Sequence, residues 1–100
     1  MNDLELTKLC AEAMGEEIHR VDDEGLLWTR DDPRIAWYVY RPLHDDTQAM
    51  ALVKKFGLYI WGKRRDIWGV TDNDPGTCSA ANTNLNYAIC ECVAKMKIAS

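Results

Sequence analysis

Three stretches of the chain place their apolar residues three and four positions apart, which is the spacing of an amphipathic helix. This spacing predicts helices over residues 3–15, 46–56 and 84–97. The ends of the first two are marked by residues that favour helix termini. Asn2 and Asp45 are typical N-caps, and Gly15 and Gly57 stand where a helix ends with a positive φ.

The segments between these helices are rich in aliphatic and aromatic residues and are bounded by Asp, Pro and Gly, which indicates strands joined by turns. The predicted strands cover residues 17–21, 26–30, 34–41, 58–62, 66–71 and, more briefly, 77–81. Short connections favour antiparallel pairing. The fold class predicted is therefore α+β, an α/β sandwich. It has an antiparallel or mixed sheet of about four to six short strands packed with three helices, in one domain over residues 1–100.

A predicted hairpin over residues 58–71 holds most of the candidate chemistry. A turn centred between Arg64 and Arg65 pairs Trp61 with Trp68 and places Tyr59 on the same face. Lys63, Arg64 and Arg65 form the predicted tip of the hairpin, between the aromatic residues of its two strands. The candidate interaction surface is Tyr59, Trp61, Lys63, Arg64, Arg65 and Trp68.

Three interpretations of this hairpin stay open at the level of sequence. In the simplest, helices cover both faces, so that Trp61 and Trp68 belong to the core and the basic tip is a solvated turn. In the second, the aromatic face is a protein interface, where Trp, Tyr and Arg are enriched among the residues that dominate binding. In the third, the aromatic rings stack the bases of a single-stranded nucleic acid, at about 1–3 kcal/mol per base.

Composition and charge limit the partners. The 100 residues carry a net charge of −4, which is not typical of a nucleic-acid-binding protein. The charge is uneven, with twelve acidic and five basic residues in 1–50 against four acidic and seven basic in 51–100. The longest apolar run, residues 35–40, is far shorter than the roughly 20 residues of a membrane span. The acidic N-terminal sequence does not resemble a signal peptide, so a cytoplasmic protein without membrane contact and with reduced cysteines is expected.

No catalytic or metal-binding constellation stands out. The chain has four cysteines but no Cys-x-x-Cys pair, and Cys90 and Cys92 point roughly 200° apart on a helix. Cys78 is the one plausible nucleophile, and it would need His19 or His44 beside it. The acidic clusters suit turns and helix caps, and no glycine-rich phosphate loop is present. The sequence therefore favours a protein that is not an enzyme and needs no cofactor or metal, with a small hydrolase or metal-dependent enzyme as the least favoured alternative.

Three motifs resemble those of the phage ABA-sandwich domain, a family of small phage and prophage proteins. They are Ala-Glu-Ala-Met-Gly at residues 11–15, Pro-Leu-His-Asp at 42–45, and Ala-Ile-Cys-Glu-Cys-Val-Ala-Lys at 88–95. Glu16 and His44 depart from the family, which often has an aromatic residue and a small hydroxyl residue there. The resemblance covers nearly the whole chain.

The resemblance implies a bacteriophage or prophage origin and a compact α/β sandwich, and it implies no activity. Combined with the residues, it leads us to expect an accessory protein of the bacterial host cytoplasm that acts by binding. The partner is expected to be a host or phage protein, or a second copy of the chain. Single-stranded nucleic acid is the alternative partner.

Overall fold

The computed structural model describes residues 1–64, 66–72 and 78–99, without the side chains of residues 63 and 64. This part of the chain forms three helices and six strands, with three strands between each helix and the next. In chain order they are α1 (Asp3–Met14), β1 (Glu17–Val21), β2 (Leu27–Arg30), β3 (Tyr38–Tyr40), α2 (Asp46–Phe56), β4 (Tyr59–Arg64), β5 (Ile67–Thr71), β6 (Ser79–Asn82) and α3 (Leu85–Ala99).

The predicted helices are confirmed, with ends that differ from the prediction by two residues at most. The Asn2 side chain accepts a 2.8 Å hydrogen bond from the backbone N–H of Glu5, which caps α1. Asp45 caps α2 in the same way, accepting from the N–H of residue 48 at 3.1 Å. Gly15 and Gly57 end these helices with φ of 76° and 62°, a backbone conformation that glycine adopts without strain.

The strands form two separate antiparallel sheets of three strands each, ordered β1-β2-β3 and β4-β5-β6. This confirms the predicted α+β class. The third strand is shorter than predicted, because the turn that precedes it extends further. Asp32 accepts hydrogen bonds from the backbone N–H groups of Arg34 and Ile35, so pairing begins only at Tyr38.

The helices lie between the two sheets and join them. The first sheet packs on α1 and the second on α3, while both α1 and α2 pack against α3. Because α3 has neighbours on several sides, its buried residues are not confined to one stripe. They are Ala88, Ile89, Cys90, Cys92, Val93 and Ala94. This central position explains why Cys90 and Cys92 are both fully buried, although they point in different directions.

One side chain of α2 completes the edge of the first sheet. Gln48 donates from Nε2 to the carbonyl of Val39 at 3.0 Å and accepts from the N–H of Arg41 at 2.6 Å. It thereby bonds the outer backbone edge of β3 much as a fourth strand would. No helix in the described part of the chain is long and apolar enough to cross a membrane.

Candidate interaction surface

The hairpin of β4 and β5 has a different register from the one predicted. Trp61 pairs with Gly69 and Gly62 pairs with Trp68, so the predicted pairing of Trp61 with Trp68 is wrong by one residue. The cause is the closed end of the hairpin, where Arg64 pairs with Ile67 and a bulge interrupts the register between Gly62 and Arg64. A one-residue shift moves a side chain to the opposite face of a sheet, and the two tryptophans therefore lie on opposite faces.

The outer face of the second sheet carries two rows of side chains, which we call the aromatic face. The pairings of β4 with β5 and of β5 with β6 place one row across the sheet at Tyr59 and the next at Trp61. All the remaining residues in these rows are small. The six residues are Tyr59, Thr71 and Ser79 in the first row and Trp61, Gly69 and Ala81 in the second.

The indole of Trp61 lies directly over Gly69. A Cβ atom on that glycine would stand 2.5 Å from the Cε2 and Cζ2 atoms of the ring, closer than any real contact. Gly69 is therefore buried beneath the indole, and the absence of a side chain there allows the ring to lie against the strand. Tyr59 is 57% exposed and Trp61 is 41% exposed. The interpretation that the predicted hairpin face is core is wrong for both.

Trp68 lies on the face that packs towards the helices, together with Val70 and Ala80, which belong to the hydrophobic core. Its own ring is nevertheless 43% exposed. The structure therefore brings Tyr59 and Trp61 together and separates Trp68 from them. The side chains of Lys63 and Arg64, and all of Arg65, lie outside the described residues.

A second aromatic cluster, which the sequence patterns missed, lies on the first sheet. The rings of His19 and Trp37 stack with centroids 4.4 Å apart, and the guanidinium of Arg30 lies 4.0 Å from the Trp37 ring centroid. Arg30 also pairs with Glu17 at 2.9 Å, and this contact lowers the pKa of that carboxyl. The cluster joins β1, β2 and the segment before β3. No local motif marked it, because its members come from separate segments.

A buried polar cluster on the inner side of the first sheet was also missed. The Tyr38 hydroxyl donates to Glu16, and burial raises the pKa of that carboxyl. Burial and the Glu16 carboxyl also raise the pKa of Tyr38. Within the described part of the chain, the Tyr40 hydroxyl and Glu16 Oε2 are buried without a hydrogen-bond partner. Alternation along β2 and β3 identifies Thr29, Tyr38 and Tyr40 as inward positions, but it does not indicate that Glu16 meets them there.

The cysteines are free thiols that contribute to the core. Cys10 donates to the carbonyl of Cys90 at 3.5 Å, and Cys92 donates to the carbonyl of Cys78 at 3.7 Å. The interaction with Cys90, followed by burial, raises the pKa of Cys10, and burial raises the pKa of Cys92 to about 11. Thiols in this state are poor nucleophiles. The described residues contain no group of three potential metal ligands among His, Cys, Asp and Glu.

The acidic turn after β1 gathers three carboxylates around a surface depression, but one of them holds the turn together. Asp22 accepts hydrogen bonds from the indole of Trp28 at 2.9 Å and from the backbone N–H groups of Glu24 and Leu26. The hydrogen bond from Trp28 makes the largest contribution to lowering the pKa of Asp22, and the two backbone hydrogen bonds lower it further. This carboxylate thus has the structural role that its place in a turn predicts.

His44 lines a different depression, of about 180 Å³, beside Asp3 and Arg41. Cys78, the predicted nucleophile, is buried, and its carbonyl accepts from Asp72, Thr71 and Cys92. His19, the other histidine, is stacked on Trp37 in the first sheet. Neither histidine is among these hydrogen-bond partners of Cys78 in the described part of the chain.

The sequence matches no protein-family model, and a comparison with curated proteins found no match. The resemblance to the phage ABA-sandwich domain therefore stays a prediction.

Proposed function

We propose that this chain is a small, non-catalytic interaction module that binds a protein partner through its aromatic face. The observation that supports the proposal is the exposure of Tyr59 and Trp61, at 57% and 41%, on one face of the second sheet. Large aromatic side chains bury much surface on binding and lose little conformational entropy. The small residues beside them leave space for the side chains of a partner.

The motif resemblance supports a bacteriophage or prophage origin, with action inside the bacterial host. The partner is then a host or phage protein, or a second copy of the chain. The proposal requires no cofactor or metal. The net charge of −4 supports a protein partner over nucleic acid, although residues 51–100, which carry the aromatic face, have seven basic and four acidic residues.

Single-stranded nucleic acid is the second candidate partner. One observation favours it, namely that β4 carries Tyr59 and Trp61 on one face and continues directly into Lys63 and Arg64. Aromatic platforms next to basic residues are typical of proteins that bind single strands. This binding would weaken steeply with salt, because each phosphate contact releases counterions.

The test is an affinity pull-down from host lysate with the tagged chain as bait, with and without nuclease. Under our proposal a specific protein is retained after nuclease treatment and is lost with Tyr59→Ala and Trp61→Ala. The matched control is Ile35→Ala, since Ile35 is 43% exposed but lies outside the aromatic face. Recovery that depends on nucleic acid would favour the second candidate. A protein retained equally by all variants would refute the role of the aromatic face.

A further inference from the structure

We propose that the depression lined by His44 and Arg41 binds a small monocarboxylate whose apolar body is about the size of one six-membered ring. The site lies apart from the aromatic face, and it does not depend on the proposed function. Three properties of the surrounding residues support it. They are an apolar floor, two side chains whose N–H donors are unused, and a volume that matches such a ligand.

Three segments that are distant in sequence form the walls of this depression. They are the first turns of α1, the start of β2 with the turn before it, and the end of β3 with the turn that leads to α2. The floor is apolar, because Leu27 and Tyr40 lie opposite each other in the pairing of β2 with β3 and are both buried. Leu43, which also lines the depression, is buried as well.

The turn between β3 and α2 places two nitrogen-bearing side chains at the rim. Arg41 and His44 are both exposed, and the backbone N–H of His44 donates to the carbonyl of Arg41 at 2.9 Å, which holds them on one turn. The backbone N–H of Arg41 is held in turn by Gln48. Within the described part of the chain, neither the guanidinium nor the imidazole forms a hydrogen bond or an ion pair, so both can donate to a ligand.

The other polar groups around the depression favour a ligand with one negative charge. Asp3 and Leu4 begin α1, where backbone N–H groups lack acceptors within the helix and the helix dipole is positive. The Asp3 carboxylate already accepts a hydrogen bond from the Tyr87 hydroxyl, whereas the Arg41 donors are unused. Arginine binds a carboxylate with two parallel hydrogen bonds, which are stronger than those between neutral groups. A second negative charge on the ligand would be repelled by Asp3.

The volume determines the size of the apolar body. The depression measures about 180 Å³. An apolar cavity of about 150 Å³ holds one benzene molecule. A single ring, or a branched chain of similar size, therefore covers the apolar floor and leaves its carboxylate at the rim, beside Arg41 and His44.

The test titrates the full-length chain, labelled with ¹⁵N, with benzoate and with benzamide, and follows the amide chemical shifts by NMR. Benzamide is the matched neutral probe, because it has the same ring and nearly the same shape without the charge. The variants are Arg41→Gln and His44→Ala, which change exposed side chains and leave the backbone hydrogen bonds of the turn in place. The control is Arg34→Gln, because Arg34 is an exposed arginine that pairs with Asp32 and does not line the depression.

We expect benzoate to shift the amides of Leu4, Leu26 and His44 and to saturate in the millimolar range. Benzamide should bind at least about tenfold more weakly, and Arg41→Gln should weaken benzoate binding by a similar factor, because each change removes a charge-assisted hydrogen bond. His44→Ala should weaken it at least about threefold, through loss of one N–H donor. Arg34→Gln should leave the affinity unchanged.

Three results would overturn the proposal. The first is that benzoate shifts no amide of the depression in this concentration range. The second is that benzamide binds as tightly as benzoate, because apolar contact alone would then explain binding. The third is that Arg41→Gln weakens binding no more than the control Arg34→Gln does.

Discussion

The contact between Trp61 and Gly69 predicts a substitution whose effect changes sign with its background. In the native chain, Gly69→Ala places a methyl group where the indole lies, so the ring has to lift away from the strand. In a Trp61→Ala background the same methyl group meets no ring. Alanine is there simply a better strand residue than glycine, by about 0.5–1 kcal/mol.

The expected magnitude follows from the exposed fraction of the ring. Trp61 is 41% exposed, so it buries somewhat more than half of its surface, roughly 150 Å² on the scale of a tryptophan side chain. Loss of a third to a half of this contact, at about 25 cal/mol per Å², costs about 1.2–1.9 kcal/mol. After the gain from alanine is subtracted, Gly69→Ala should destabilise the native chain by about 0.2–1.4 kcal/mol. It should stabilise the Trp61→Ala chain by about 0.5–1 kcal/mol.

The assay is a double-mutant cycle measured by urea unfolding. The signal is far-UV circular dichroism, because the fluorescence of the four tryptophans would itself change when Trp61 is replaced. Gly62→Ala is the control substitution in both backgrounds. Gly62 lies in β4 next to Trp61, in the strand paired with that of Gly69, and its added Cβ would have no atom within 4 Å. Effects of Gly69→Ala that agree within about 0.3 kcal/mol between the two backgrounds would refute the contact, and with it the geometry of the aromatic face.

Three further predictions concern other parts of the molecule. Gln48→Ala should reduce the free energy of unfolding by about 1–3 kcal/mol and speed hydrogen exchange at the Arg41 amide, whereas a stability equal to the native value would contradict its role at the sheet edge. Burial raises the pKa of Glu16, so the folded chain binds a proton at this carboxyl more tightly than the unfolded chain does. The free energy of unfolding therefore falls as the pH rises through the titration of Glu16. Glu16→Gln should therefore be more stable than the native chain at neutral pH and equal to it in acid, as pH-dependent urea unfolding would show. Iodoacetamide should label Cys10 and Cys92 only on unfolding, and rapid labelling of the folded chain, detected by mass spectrometry, would show that these thiols are accessible.

The helices were predictable because their signals are local. Asn2, Asp45, Gly15 and Gly57 mark the ends of α1 and α2 through the backbone conformations and hydrogen bonds that they favour. These preferences act over three or four residues and are independent of the rest of the fold. The same locality explains why the strands were found but one was predicted too long. The turn formed by Asp32 and Ile35 competes with the strand-like residues that follow it.

The candidate site was only partly predictable, because the face of a strand depends on the register of its hairpin. The positions of Tyr59 and Trp61 on one face follow from simple alternation. Placing Trp68 correctly would have required foresight of the bulge between Gly62 and Arg64, which no local preference marks. The role of Gly69 beneath Trp61 can be assigned only once the register of the hairpin is known. A glycine within a strand indicates close approach of another group, and the cross-strand tryptophan is that group.

The position of α3 has a consequence for how the chain is made. This helix follows all the other described elements in sequence, yet it packs against α1, α2, β5 and β6. During synthesis the earlier elements therefore leave the ribosome without the surface that buries them. Native contacts of such wide sequence separation form slowly, and a nascent chain in this state depends on chaperones or on rapid completion. Deletion of residues 85–99 should therefore yield an aggregating or degraded product rather than a shortened domain.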